Sequence, residues 1–135
     1  MDIRRDDKMM AIRPKPKRFA LDMSATEYVR LLGGPPESVT MRSGLVVLPP
    51  SQSVGRHSTG SFEEIIVVLE GEGEMTFSDG SVMRLEAHMV GYCPPETEHD
   101  VHNCGDRAMR YLYVVARALQ PKTGKIREAN HSTSS

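Results

Sequence analysis

From Val39 onward the apolar residues of this chain fall in short runs, each closed by glycine, proline, asparagine or aspartate, and not at the three-to-four-residue spacing of a helix. Val39 to Arg42 and Leu45 to Leu48 are the first two β-rich runs, separated by Ser43-Gly44 and followed by the break Pro49-Pro50-Ser51. A polar segment from Gly55 leads into Ile65 to Leu69, which closes on the Gly71-Glu72-Gly73 turn. Glu74 to Ser78 and Ser81 to Leu85 flank Asp79-Gly80, a strong hairpin signal because both residues tolerate the left-handed backbone of a tight turn. Met89 to Cys93, His99 to His102 and Arg110 to Ala116 follow, separated by Pro94-Pro95 and by a turn over 103–106. Roughly nine short strands at this spacing, with almost no helix, predict an all-β sandwich or barrel.

Only one stretch reads otherwise. Ser24-Ala25-Thr26-Glu27 matches a capping box, apolar residues follow at Tyr28, Val29, Leu31 and Leu32, and Gly33-Gly34-Pro35-Pro36 supplies stop signals. A short helix over 24–32 is predicted, packed outside the main domain. Before it, residues 1–18 carry seven basic side chains against three acidic ones, and Pro14 and Pro16 oppose regular helix. The reading is a flexible basic arm, a domain over 19–120, and a polar, disordered tail over 121–135.

Composition narrows the class of function. With 135 residues and 39% hydrophobic content, the chain suits one domain with a real core. A formal net charge of −1 gives no field to steer the whole molecule onto nucleic acid or an anionic membrane. The basic arm lacks the interleaved aromatics of a nucleic-acid surface, so no nucleic-acid partner is expected. No run approaches the ~18 apolar residues of a membrane span, and the charged start is unlike a signal peptide. A soluble, cytoplasmic protein is the expectation, with Cys93 and Cys104 as free thiols.

The candidate chemistry lies in two stretches. Gly55 to Gly71 contains His57, Thr59, Glu63 and Glu64; Pro94 to Asn103 contains Pro94, His99 and Asn103. These resemble the paired motifs of the cupin superfamily, small double-stranded β-helix barrels of the jelly-roll type. The first motif of that family runs G, five residues, H-x-H, three or four residues, E, six residues, G. The second runs G, five residues, P-x-G, two residues, H, three residues, N. His57, Glu64 and Gly71 stand at the expected separations of the first, with Thr59 in place of its second histidine; Pro94, His99 and Asn103 reproduce the second. Ser51 and His88 stand where the leading glycines would, and Glu96 where the glycine of P-x-G would. The resemblance spans about residues 40 to 117, with the short spacer of bacterial single-domain members.

Cupins that bind metal usually use three histidines and a glutamate facing into the barrel, so the resemblance implies a site of His57, Glu64 and His99. The residues themselves agree. His57 and Thr59, two apart, face one side of a strand; Glu64 lies on the neighbouring run, where a hairpin could set it opposite; His99 needs the barrel to bring it in. Two imidazoles and a carboxylate with open positions make a facial triad, suited to Fe(II) and tolerable for Mn, Ni, Co or Zn.

Thr59, Cys93 and Tyr113 are candidate pocket residues, Cys93 also reading as a buried structural thiol and Tyr113, like Tyr92 and Tyr111, as core. Glu63 alternates outward unless the register shifts, His102 is out of phase with His99, and His88 and His131 receive no role. An apolar lining is expected from Ile66, Val68, Met75, Phe77, Met83, Val101, Tyr113 and Val115.

Two functions remain open: a metal-dependent enzyme of dioxygenase, isomerase or lyase type acting on a small organic molecule, or a metal-free barrel that binds or senses a small molecule. No catalytic residue is singled out. Long strands with open edges, and the habit of such barrels, predict a homodimer.

Overall fold

The computed structural model describes residues 13–119, and there the chain forms nine strands and no helix. They are β1 (Val29–Arg30), β2 (Arg42–Leu48), β3 (His57–Ser58), β4 (Phe62–Glu70), β5 (Glu72–Phe77), β6 (Val82–Glu86), β7 (Val90–Cys93), β8 (Glu98–Asn103) and β9 (Met109–Arg117). Five make one sheet in the order β1-β2-β9-β4-β7, and four make the other in the order β3-β8-β5-β6, all neighbours antiparallel. This is the all-β jelly roll that the strand spacing and the motifs predict. The start of the expected arm and the tail over 121–135 lie outside the described residues.

The period-2 rule decides what each strand buries. In β4, Glu64, Ile66 and Val68 turn inward and are buried, while Ile65 between them is exposed. Ile66 and Val68 meet Met75, Leu85, Val101, Met109 and Tyr111 between the sheets, so most of the expected apolar lining is solid core. The Asp79-Gly80 hairpin forms as read: Gly80 adopts φ +91°, and the Asp79 carboxylate accepts from the Ser81 N–H and hydroxyl at 2.8 and 2.6 Å.

Two local expectations are corrected. No helix forms over 24–32. The Asp22 carboxylate accepts from both the N–H and the hydroxyl of Ser24, at 3.0 and 2.7 Å, so the serine closes a turn behind itself instead of capping a helix ahead. Val29 and Arg30 then pair with Leu45 and Gly44 as an added strand. The second correction follows from the first. Ser43-Gly44 does not separate a pair of strands but lies within β2, and a Cβ on Gly44 would fall 2.5 Å from the Tyr28 Oη. Gly44 is thus the floor on which the Tyr28 ring rests.

Candidate metal centre

The two sheets leave a cavity of about 600 Å³ at one end of the barrel, above the apolar core. His57, Glu64 and His99 all line it, and their candidate ligand atoms lie within 4.8 Å of one another. His57 and His99 are direct cross-strand partners on β3 and β8, ring centroids 4.4 Å apart. Glu64 arrives differently from the sequence-based expectation. It is not on a strand paired with that of His57 but in the opposite sheet, where β4 pairs with β7 and β9. The reason is that β3 is only two residues long, and the turn bonded from Phe62 N–H to Thr59 O (3.0 Å) sends the chain across to the other sheet.

Hydrogen bonds settle which ring nitrogens face the cavity. His57 Nδ1 is 2.7 Å from the Gly55 carbonyl, and His99 Nδ1 is 3.1 Å from the Thr97 carbonyl. A carbonyl only accepts, so in each ring Nδ1 carries the proton and a neutral ring presents the Nε2 lone pair. Carbonyl partners that orient imidazoles in this way are the usual support of metal-ligating histidines. His99 Nε2 is buried with no hydrogen-bond partner among the described residues, yet lies 3.2 Å from Glu64 Oε1. With the ring proton on Nδ1, Nε2 has none to donate to that oxygen. Unless a cation or a proton stands between them, two lone pairs face each other in a poorly hydrated site. Accordingly the contact with Glu64 raises the His99 pKa above its ordinary value against the opposing effect of burial, and the Thr97 carbonyl adds to the rise.

The donor set therefore fits a divalent cation: two neutral imidazoles and one carboxylate, with open positions toward the cavity. Metal–ligand bonds of about 2.1 Å hold cis ligand atoms about 3.0 to 3.4 Å apart. The Glu64–His99 contact already meets that range, and exposed His57 on its short strand is the ligand with room to move in.

Thr59 is not a fourth ligand. Its hydroxyl donates to the Pro94 carbonyl at 2.8 Å and accepts from the Thr97 N–H at 3.1 Å, which ties the end of β3 to the loop carrying the second motif. It lines the cavity, as does Tyr113, whose hydroxyl is 2.7 Å from that of Tyr28. Cys93 sits behind the centre, fully buried, with Sγ 3.6 Å from His99 Nδ1. Burial, with the charge of Glu64, pushes its thiol up to about 11, so it stays protonated. Glu63 faces outward, where its carboxylate accepts from the Tyr92 hydroxyl at 2.8 Å, and His102 Nδ1 lies 2.7 Å from Ser53 Oγ away from the triad.

Asn103 is a pin of the fold. Buried at the end of β8, its amide donates to the carbonyls of Leu48 and Arg107, and its oxygen accepts from the Gly105 N–H, all at 2.8 Å. Among the described residues, Ser51, His88 and Glu96 are the non-glycine residues with positive φ, at 70°, 77° and 52°. They are the positions where the motif pattern has glycine.

The family model described as the cupin domain matches residues 44–115. This chain is a cupin. A cupin 2 conserved barrel domain protein from Salinispora arenicola is 21% identical, with a TM-score of 0.61, 90% of this chain and 99% of that one being covered. A predicted oxalate decarboxylase from Thermotoga maritima is 20% identical (TM-score 0.55, 74% and 100% covered). The DMSP lyase DddQ from Ruegeria pomeroyi is 24% identical (TM-score 0.58), with 70% of this chain and 48% of that one covered. At these identities the likeness establishes the fold. No curated protein matches the sequence significantly. Arg42 also lines the cavity, and nothing in its local sequence pattern marks it as facing inward.

Proposed function

We propose that this cupin binds one divalent metal ion through His57, Glu64 and His99 and uses it to bind a small organic molecule in the barrel, as an enzyme of dioxygenase, isomerase or lyase type. The observation that carries the reading is the buried His99 Nε2, unpartnered and set against the Glu64 carboxylate. A metal here would supply Lewis acidity or oxygen activation at a substrate oxygen. The protein's own contributions are orientation of both imidazoles by Gly55 and Thr97, a carboxylate fixed on the opposite sheet, and an apolar cavity wall of Val46, Leu48, Val101 and Val115. The similarity to a lyase and to a predicted decarboxylase is consistent with an enzymatic role.

Elemental analysis of protein purified without chelators, beside the His57→Ala/His99→Ala double variant, tests the reading. One metal per chain that vanishes in the variant supports it; a metal-free wild type overturns it in favour of a metal-free binding barrel. We also propose a homodimer paired through the outer face of the five-stranded sheet, where Ile65, Val90 and Tyr92 stand 43%, 61% and 50% exposed. A light-scattering mass of one chain at micromolar concentration would refute it.

A further inference from the structure

The rim of the cavity carries positive charge that the triad does not require. Arg42 on β2, Val115 on β9 and Glu64 on β4 form one cross-strand row on the inward face. The Arg42 and Glu64 backbones are therefore two strand spacings, about 10 Å, apart. The Arg42 guanidinium stacks on Phe62 and passes over Gly34. Its carbon lies 5.3 Å from the centroid of the Phe62 ring, and a Cβ on Gly34 would fall 2.9 Å from its Nε. Arg117 approaches the same ring at 5.7 Å.

Neither guanidinium meets a carboxylate among the described residues, whereas Arg30, Arg84 and Arg110 do, at 2.7, 2.8 and 2.6 Å. One row along, Tyr113 lies opposite Gly44, and the Tyr28 ring over Gly44 brings the two hydroxyls to 2.7 Å. One phenol donates to the other, which leaves one O–H proton to offer to the cavity. Burial, aided by the Tyr28 hydroxyl, raises the Tyr113 pKa, so that phenol keeps its proton. An unpaired guanidinium stacked on an aromatic ring, with a hydroxyl donor one row along at the mouth of the same cavity of about 600 Å³, offers the donors that a carboxylate requires.

We propose that Arg42, stacked on Phe62 and assisted by the Tyr28–Tyr113 hydroxyl pair, binds a carboxylate of the ligand. The ligand is then a small organic acid of a few carbons whose second oxygen group reaches the His57–Glu64–His99 end. The inference rests on the metal reading for that far end only; the Arg42 end stands without it.

The test is calorimetric titration of malonate and succinate, with malonamide and succinamide as uncharged counterparts, into the protein at constant ionic strength. Wild type, Arg42→Met, Arg42→Lys and Arg117→Met are compared, with metal content and melting temperature measured on each. The diacids should bind and the diamides bind at least about tenfold more weakly, the loss expected for a charged hydrogen-bonded contact. Arg42→Met should weaken the better diacid by about tenfold or more at unchanged metal content, Arg42→Lys should recover some of that loss, and Arg117→Met should change it by less than about threefold. The proposal is overturned if neither diacid binds, if the diamides bind as well, if Arg42→Met binds like wild type, or if Arg42→Met loses the metal. Should the wild type hold no metal, the metal reading fails alone, and the Arg42 dependence is read from the same titrations on the metal-free protein.

Discussion

Replacing Ser51, His88 and Glu96 by glycine, singly and together, should stabilise this protein. Each side chain sits on a left-handed backbone, φ 70°, 77° and 52° respectively. A Cβ in that region crowds the following carbonyl, at about 1–2 kcal/mol per residue. Glycine removes the crowding but gives the unfolded chain more freedom, which returns about 0.5–1 kcal/mol. The net gain is about 0.5–1 kcal/mol at each site. The backbone N–H groups of the three bond to different partners, Asn103, Val68 and Gly60, so their effects should add to about 2 kcal/mol. For a domain of this size that is a rise in melting temperature of about 8 °C by calorimetry or circular dichroism. Glu98→Gly serves as the control, since Glu98 is exposed in β8 with ordinary strand backbone; it should lose about 1 kcal/mol. Three single variants that each melt below wild type, as the control does, would refute the claim that these turns hold strain.

Asn103→Leu removes one buried and two part-buried hydrogen bonds and strands their partners, so it should cost about 3 kcal/mol in denaturant titration; a loss under about 1 kcal/mol would show that Asn103 is no pin. Thr59→Val should cost about 1–2 kcal/mol through its two backbone ties while leaving metal content unchanged, and a variant that loses the metal would make Thr59 a ligand after all. The pH dependence of the metal-free protein follows from His99. Its pKa is raised in the folded state, so its contribution is fully present below the ordinary value of 6.5 and is lost as pH rises through the folded value. Metal-free wild type should therefore lose stability above about pH 6.5 relative to His99→Gln, and parallel curves for the two proteins would contradict this. The same proton competes with a cation, so metal affinity should climb over that window.

The all-β class, the Asp79-Gly80 hairpin and the residues of the candidate triad were legible in the sequence, because each is written in local terms: alternation, turn residues and spacing within a motif. The strands were not all so, since β1 was expected as a helix, β3 was not expected, and β2 was expected as two runs. Even Ser51, His88 and Glu96 could be marked as sites of glycine-like backbone from the motif alone. What residues 24–32 do was not legible. A capping box and a turn closed by Asp22 draw on the same serine, and the choice went to the strand because the edge of β2 and the bare surface of Gly44 offered Val29, Arg30 and Tyr28 better partners. The placement of Glu64 opposite the histidines, the commitment of the Thr59 hydroxyl to the 94–97 loop, and the alignment of Arg42 with Glu64 likewise depend on pairings between distant segments. Those are fixed by how two sheets pack and register, a non-local outcome that no window of sequence contains.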